Sequence, residues 1–529
     1  SLQIYYLKLA KWIKENYKNV HLHVIIPDLP IFMNMQYSNI SIHMLIKKYD
    51  NYCCNKNILF YDSYTLLTKE MINSLNLPSE RCVVVEGVFR ESTCDSISSN
   101  KSDNKNKTIV YTGTLTKKYG VMDLVKAFEL IDDENYEILL NHPLINEEVA
   151  NSLIENVIGQ GALPVGLLPR IIVDDKEYVV PMMVEEPSVV AAASYGAKLV
   201  NQSGGFKTIS SERLMIGQIV FDDVEDTGTL ANSIYQIESQ IHQIADEAYP
   251  SIKARGGGYQ RIEIDTFPNH RLLSLKVFVD TKDAMGANML NTILEAITAH
   301  LKVKFSNQNV LMSILSNHAT ASVVKVQGEI DIEDLHRGER SGEEVAQRME
   351  RASVLAQVDI HRAATHNKGV MNGIHAVVLA TGNDTRGVEA SAHAYASKDG
   401  HYRGIATWEY DRSRNKLVGT IEVPMTLATV GGGTKVLPIA KASLNLLNVE
   451  NAQELGQVVA AVGLAQNFSA CRALVSEGIQ QGHMSLQYKS LAIVVGAKGE
   501  EIALVADALK YESQANTAKA QEILMNIKK

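Results

Sequence analysis

The stretch that most constrains this chain runs from Arg362 to Glu389, RAATHNKGVMNGIHAVVLATGNDTRGVE. Val370, Met371, Ile374, Val377 and Val378 recur there at helical spacing, which predicts a buried helix. Gly369 loosens its start, and Gly382 with Asn383 reads as its stop. A guanidinium (Arg362), an ammonium (Lys368), an amide (Asn372) and a carboxylate (Asp384) surround the apolar run. Lysine and aspartate are seldom buried unless paired, so these groups are either solvated caps or the lining of a site. A helix over 369–381 spans about 18–20 Å, too far for Lys368 and Asp384 of one chain to touch. If both serve one site, a second subunit supplies one of them.

At 529 residues the chain is too long for one core, and about two to four domains are expected. A net charge of −9 argues against a nucleic-acid partner. No run reaches the length of apolar residues that a membrane span needs, and the start lacks the layout of a signal peptide. Cysteines stand at 53, 54, 82, 94 and 471, with no CxxC pair or Cys/His ligand pattern. That reads as a reducing cytoplasm and no structural metal.

Composition changes along the chain. Before residue 141 alanine occurs only at 10 and 127, whereas four of the five cysteines and eleven of the 21 tyrosines fall there. Such a shift reads either as two domains of different origin joined near 140 or as a joined or mis-assembled reading frame. The first part opens on a helix-like YYLKLAKWIKENY, followed by an apolar strand from Val20 to Pro30. Next come YDSYTLLTKEM, RCVVVEGVF, a polar linker over 91–107, and TIVYTGTLTKKYGVMDLVKAFELI. Strands alternating with helices predict a parallel, partly Rossmann-like α/β layout. The turn at Tyr111 to Leu115 either offers backbone N–H groups to a phosphate or is a plain strand-to-helix turn.

PDLPIFM, LLTKEM, VVVEGVF and VYTGTL together resemble two-lobed retaining glycosyltransferases that use nucleotide sugars. The match covers only the middle of such an enzyme, without the acidic pair that holds the donor sugar. Sugar transfer is therefore not expected, and Glu86 and Gly113 are its remnants of interest.

From Asn141 the text changes. IENVIG reads as a helix ending in glycine, and short strands are expected around Val173 and Val179. Glu185-Glu186-Pro187-Ser188 then opens an alanine-rich helix, with Pro187 at its first turn. The flanking apolar runs predict that one of the two carboxylates is buried, with the raised pKa that burial brings. Over 211–318 come ARGGGYQRIEIDTF, the alternating strand LLSLKVFVD, and DAMGANMLNT. In the last, Asp283 is the expected helix cap and Gly286 permits close backbone approach, either for a phosphate or for packing alone. The strand VLMSILSN ends this segment at Asn317.

EEPSVVAAAS, RGGG, DAMGANMLNT, ILSN, RAATHNKGVMNG, ATGNDTRGVEA and GHMSL are together similar to class II, bacterial 3-hydroxy-3-methylglutaryl-coenzyme A reductases over about 141–529. The resemblance implies reduction of hydroxymethylglutaryl-CoA to mevalonate by two hydrides from NADPH or NADH, or the reverse. It implies Glu186 as proton donor, Lys368 as oxyanion cation, Asp384 as the group that tunes both, and His483 as proton source for the departing thiolate. Ser188, Arg362 and Asn372 would hold the hydroxymethylglutaryl part. Asp283, Met285, Gly286, Asn288 and Asn317 would contact the dinucleotide. No metal is implied.

The implied architecture is multidomain α/β and α+β. A large domain (141–210 and 319–475) is interrupted by a ferredoxin-like dinucleotide domain (211–318) and followed by a flap (476–529). A homodimer with shared active sites is implied, and a cytoplasmic location is expected. Gln487 replaces a second flap histidine of many members. Tyr249 stands where NADH-preferring members carry an aspartate, which inclines the reading to NADPH. The family's amino-terminal segment is expected to be missing before Asn141. His361, His366, His375 and His393 are read as structural. The alternative is a glycosyltransferase-related protein or a catalytically inactive fusion.

Overall fold

The computed structural model describes residues 23–26, 61–66, 77–84, 138, 145–336, 340–476, 478, 488–498, 500–512 and 515–528. The chain forms two compact units, Ser1–Val125 and Lys126–Lys529. In the first, β1 (His23–Ile26), β2 (Ser63–Leu66) and β3 (Cys82–Val84) pair in parallel in the order β1-β2-β3. Tyr64 is fully buried and its hydroxyl donates to the Tyr61 carbonyl at 3.0 Å. The expected first helix, the 91–107 linker, Glu86 and the turn at Gly113 lie outside the described residues.

The second unit begins with α1 (Glu147–Leu153), whose cap Asn146 accepts from the Val149 N–H at 2.7 Å. IENVIG is therefore not a helix: α1 ends before it, where Ile154 takes extended backbone. β4 (Val165–Val173) and β5 (Lys176–Met183) form a hairpin. Its turn residues Asp174 and Asp175 both have positive φ, 49° and 68°, the primed-turn geometry that matches strand twist. α2 (Val189–Gln202) starts after Ser188, so Pro187 precedes the helix instead of occupying its first turn. β6 (Phe206–Ser211) then leads into β7 (Met215–Asp222).

There follow α3 (Thr227–Gln236), α4 (Glu238–Ala248), α5 (Pro250–Ala254), β8 (Gly258–Phe267), β9 (Leu272–Asp280), α6 (Ala287–Lys304) and β10 (Asn309–Ser316). Strands β7 to β10 form one antiparallel sheet in the order β10-β7-β9-β8, the split βαβ arrangement. Its inner face packs Ile219, Phe221, Leu275 and Val277 against Leu290, Ile293 and Ile297 of α6.

The chain then returns through β11 (Val323–Asp331), α7 (Gly342–Val358), α8 (Ile360–Ala380), α9 (Thr385–Tyr395), β12 (Ala406–Asp411) and β13 (Lys416–Pro424). Next are α10 (Gly433–Val436), α11 (Pro438–Leu447) and α12 (Ala452–Val475). The last two helices, α13 (Glu500–Leu509) and α14 (Thr517–Ile527), share a small core of their own with Tyr488 and Ala492. The six-stranded sheet runs β12-β13-β11-β6-β4-β5. Every other residue of β11 is buried, as a sheet with one covered face requires.

Helices α2, α8 and α12 pack into the core of this sheet, joined by Val345, Ala346 and Met349 of α7. α2 and α12 meet backbone to backbone. A Cβ on Gly196 would lie 2.1 Å from the Ala465 carbonyl oxygen, so only glycine permits the approach. α12 is long and apolar enough to cross a membrane, yet 78% of its apolar window is buried, which makes it a core helix.

α8 begins nine residues before Gly369, capped by Asp359, whose carboxylate accepts from the His361 N–H at 3.1 Å. A Cβ on Gly369 would meet nothing within 4 Å, so this glycine rides through mid-helix on an open side. The expected stop is observed. Asn383 N–H reaches the Val378 carbonyl and Gly382 N–H the Leu379 carbonyl, with Gly382 at φ 67°, a Schellman closure.

Candidate active site

Lys368 and Asn372 stand four residues apart on α8 and so share one face. Opposite them, the turn between β5 and α2 carries Glu186. Lys368 Nζ lies 2.6 Å from Glu186 Oε2, and Asn372 Nδ2 donates to the same oxygen at 3.4 Å. The partners are 182 residues apart in sequence. Both side chains of the ion pair are open to solvent, at 61% and 42%. Glu185 and Glu186 are both exposed, so the expected buried carboxylate is absent from the single chain; the turn projects beyond the core helices that flank it.

Ser188 makes the turn possible at a cost. Its φ of 73° is left-handed, which strains any residue but glycine, and it caps no N–H of α2. Its hydroxyl is buried and has no hydrogen-bond partner among the described residues. A strained residue with an orphaned hydroxyl two positions from Glu186 is the pattern of a group waiting for a polar ligand.

Arg362 lies on the same helix, nearer its start. Its Nη2 is 4.0 Å from Cys471 Sγ, and Cys471 Sγ is 3.9 Å from His366 Nδ1. Asn467 closes the cluster, accepting from Trp408 Nε1 at 2.8 Å and placing its amide 3.2 Å from His366 Nε2. Burial, with the Arg362 charge adding to it, holds His366 down to about 4; the bond to the Ala406 carbonyl opposes this weakly. Burial also pushes the Cys471 thiol up to about 11, against the pull of Arg362. Both groups are neutral at working pH, so Arg362 is the cation of this cluster. His366 is structural, as expected. His393 meets Tyr402 through Nδ1 at 2.7 Å, and His375 faces Glu389.

Asp384 sits elsewhere. It caps α9, accepting from the Arg386 and Gly387 N–H groups at 3.1 and 3.2 Å. A Cβ on Gly387 would stand 2.9 Å from Asp384 Oδ2 and 3.6 Å from Asn317 Oδ1, so the bare glycine leaves space that these two side chains share. The rise of α8 from Lys368 to Ala380 is about 18 Å. One chain therefore brings together Glu186, Lys368 and Asn372 in one cluster, and Asp384 with Asn317 in another.

The loop from Thr281 to Gly286 enters α6. Asp283 does not cap α6: Gly286 does, at φ 85° and without a side-chain acceptor for the first N–H groups. Instead Asp283 Oδ1 accepts from the Ala452 N–H at 2.9 Å, capping a helix 169 residues away. Its carbonyl accepts from the Thr429 N–H at 3.0 Å. A Cβ on Gly286 would come within 2.4 Å of Thr281 Cγ2. The first amides of this 18-residue helix have no side-chain cap among the described residues, and behind a glycine that admits no side chain they suit a phosphate group. Met285 is half-buried beside it, and Asn288 is exposed on the first turn.

Sequence reasoning missed Arg213, which grips this loop, and the side-chain role of Asn383, whose amide exchanges two hydrogen bonds with Ala428, at 3.1 and 2.7 Å. Neither pairing has a local sequence signature. His483 and Gln487 lie outside the described residues, as do their surroundings.

The family model for hydroxymethylglutaryl-coenzyme A reductase matches residues 121–488. The chain is 41% identical over 407 residues to the 3-hydroxy-3-methylglutaryl-coenzyme A reductase of Archaeoglobus fulgidus, covering 76% of this chain and 91% of that one. It is 34% identical to the probable reductase of Borreliella burgdorferi, over 67% of this chain and 80% of that one. Among solved structures it is similar to the class II reductase of Streptococcus pneumoniae bound to NADPH. There the identity is 43% and the TM-score 0.65, with 77% of this chain and 99% of that one covered. The match thus begins before Asn141 and spans nearly all of the pneumococcal chain, so the expectation of a missing amino-terminal segment is corrected.

Proposed function

The chain belongs to the hydroxymethylglutaryl-coenzyme A reductase family, and from that premise we propose how its residues divide the work. It is an oxidoreductase that reduces hydroxymethylglutaryl-CoA to mevalonate with NAD(P)H. The observation that carries the site reading is the Lys368–Glu186 pair at 2.6 Å, steadied by Asn372.

A thioester carbonyl that accepts hydride gathers negative charge on oxygen, and a preorganised cation lowers that barrier most. Lys368 supplies the cation. Glu186 supplies a proton to the aldehyde oxygen, and Asn372 orients Glu186. The orphaned Ser188 hydroxyl and the Arg362 guanidinium bind the hydroxymethylglutaryl part, the guanidinium matching a carboxylate. His483 protonates the departing thiolate, because histidine titrates closest to working pH. Asp384 tunes Lys368 and Glu186.

Asp283, Met285, Gly286, Asn288 and Asn317 would hold the dinucleotide, with the first amides of α6 toward a phosphate. When bound, the reduced nicotinamide supplies hydride. NADPH is favoured, because Tyr249 brings no carboxylate to repel a 2′-phosphate. A pneumococcal relative carries NADPH.

A homodimer joins the two clusters, Asp384 of one subunit meeting Lys368 and Glu186 of the other. The open faces of Lys368 and Glu186 support this. The large domain comprises 141–210 and 319–475, the small domain 211–318 and the flap 476–529. The segment ahead of the family match, which begins at 121, is a glycosyltransferase-like addition without sugar transfer, and the protein works in the cytoplasm.

The test is oxidation of NADPH and of NADH with hydroxymethylglutaryl-CoA, for the full chain and for Lys368→Ala. Turnover in the parent and a loss of about 10³-fold in the folded variant are expected. Equal rates in the two proteins would remove Lys368 from the chemistry.

A further inference from the structure

We infer that Arg213 is a positioning residue for dinucleotide binding, holding the Thr281–Gly286 loop in a strained conformation that the chain does not adopt unaided. The inference rests on the reading of that loop given above.

Arg213 lies in the short link between β6 of the large sheet and β7 of the small one. Its Nε donates to the Lys282 carbonyl at 2.6 Å. Its Nη2 donates to the Ala284 carbonyl at 2.9 Å and to the Leu427 carbonyl at 2.6 Å. Three carbonyls from two backbone segments thus meet on one guanidinium. Its remaining nitrogen, Nη1, is buried without a hydrogen-bond partner among the described residues. The acceptors are neutral carbonyls, and the carboxylates of Asp283 and Asp280 oppose the cost of burying the cation only through space. A neutral side chain could fill the space more cheaply. What the guanidinium alone provides is a rigid planar fork that reaches all three carbonyls at once.

The loop needs such a grip. Lys282 has φ 51°, left-handed backbone in a residue with a full side chain. Such a conformation persists only where its surroundings over-determine it. Arg213 bonds the carbonyl of Lys282 itself and that of Ala284, two residues on. Between them, Asp283 is aimed with its carboxylate on the Ala452 N–H and its carbonyl on the Thr429 N–H. Release of Lys282 to ordinary backbone would turn Asp283, Met285 and Gly286 together, while Glu186, Lys368 and Asn372 would stay in place.

The experiment measures NADPH dissociation by quenching of protein fluorescence, KM for both substrates and thermal stability in Arg213→Ala, Arg213→Lys and the double variant Arg213→Ala/Lys282→Gly. Loss of charged hydrogen bonds to the loop is expected to weaken NADPH about tenfold or more in the alanine variant. KM for hydroxymethylglutaryl-CoA should stay within about twofold, since the loop does not touch that cluster. Lysine should recover only part, and glycine at 282, for which left-handed backbone carries no strain, should restore affinity lost in the alanine variant. NADPH affinity unchanged in folded Arg213→Ala overturns the inference. So does an equal loss for both substrates that follows stability alone.

Gly286→Ala and Asn288→Ala are measured alongside. If these weaken NADPH and Arg213→Ala does not, the inference about Arg213 falls by itself. If none of them weakens it, the loop reading falls too.

Discussion

His366→Gln isolates one buried imidazole and gives its proton a measurable consequence. His366 is 1% exposed, with Nε2 2.9 Å from the Ala406 carbonyl oxygen. Burial first, and the Arg362 charge second, lower its pKa from 6.5 to about 4. Each unit corresponds to about 1.4 kcal/mol, so the folded state resists this proton by about 3 kcal/mol. The sign follows from proton counting. As pH falls through about 6.5 the unfolded chain takes up the proton, whereas the folded chain does so only near about 4. Between those values the unfolded state binds more protons, so stability falls as pH falls. The contribution is intact above about pH 7, about 1.4 kcal/mol is gone by about pH 5.5, and the loss levels off below about pH 4.

The assay is urea unfolding of the wild type and His366→Gln across that range, followed by the fluorescence of Trp408, which packs in the same core. Glutamine keeps an amide donor for the Ala406 carbonyl and does not titrate. The wild type's advantage over the variant should shrink by about 3 kcal/mol from about pH 7 to about pH 4. A difference that stays constant within about 0.5 kcal/mol would refute the claim that His366 is held neutral by burial.

Two further outcomes are expected from glycines. Gly196→Ala drives a methyl group to 2.1 Å from the Ala465 carbonyl oxygen, where neither backbone can yield cheaply. Thermal and urea unfolding should show a loss of about 2–3 kcal/mol or more, and an unchanged midpoint would mean that α2 and α12 are not so closely packed. Gly387→Ala is its opposite: the added methyl meets the movable Asp384 carboxylate at 2.9 Å, on the first turn of α9. Stability should change by no more than about 1 kcal/mol, because the entropy gained from the unfolded chain is opposed by displacement of the Asp384 cap. The kcat should nevertheless fall about tenfold, and a full kcat would show that the position of Asp384 does not matter.

What the sequence determined alone is the set of elements governed by short-range periodicity and turn chemistry. The alternation in LLSLKVFVD became β9, and Gly382 with Asn383 closed α8 because left-handed backbone at that point favours glycine. The residue types needed for thioester reduction could also be read, since an ammonium, two carboxylates and an amide stand in recognisable text. The family followed from the same text.

What only the tertiary structure decided is which of these groups meet. Gly369 reads as a helix start, yet α8 passes through it, because the packing of Val370, Met371 and Ile374 outweighs one weak helix former on an open side. Asp283 reads as a local cap, yet its carboxylate serves Ala452. One of Glu185 and Glu186 reads as buried, yet both are exposed, and Glu186 stands on the turn beside Lys368. Arg213 has no local pattern at all, and its importance lies in three carbonyls on two segments that are distant from it and from each other in sequence. The physical reason is common to all four. Periodicity reports which face of an element is apolar, whereas a hydrogen bond or ion pair depends on the path of the whole chain, and burial across the two sheets sets that path.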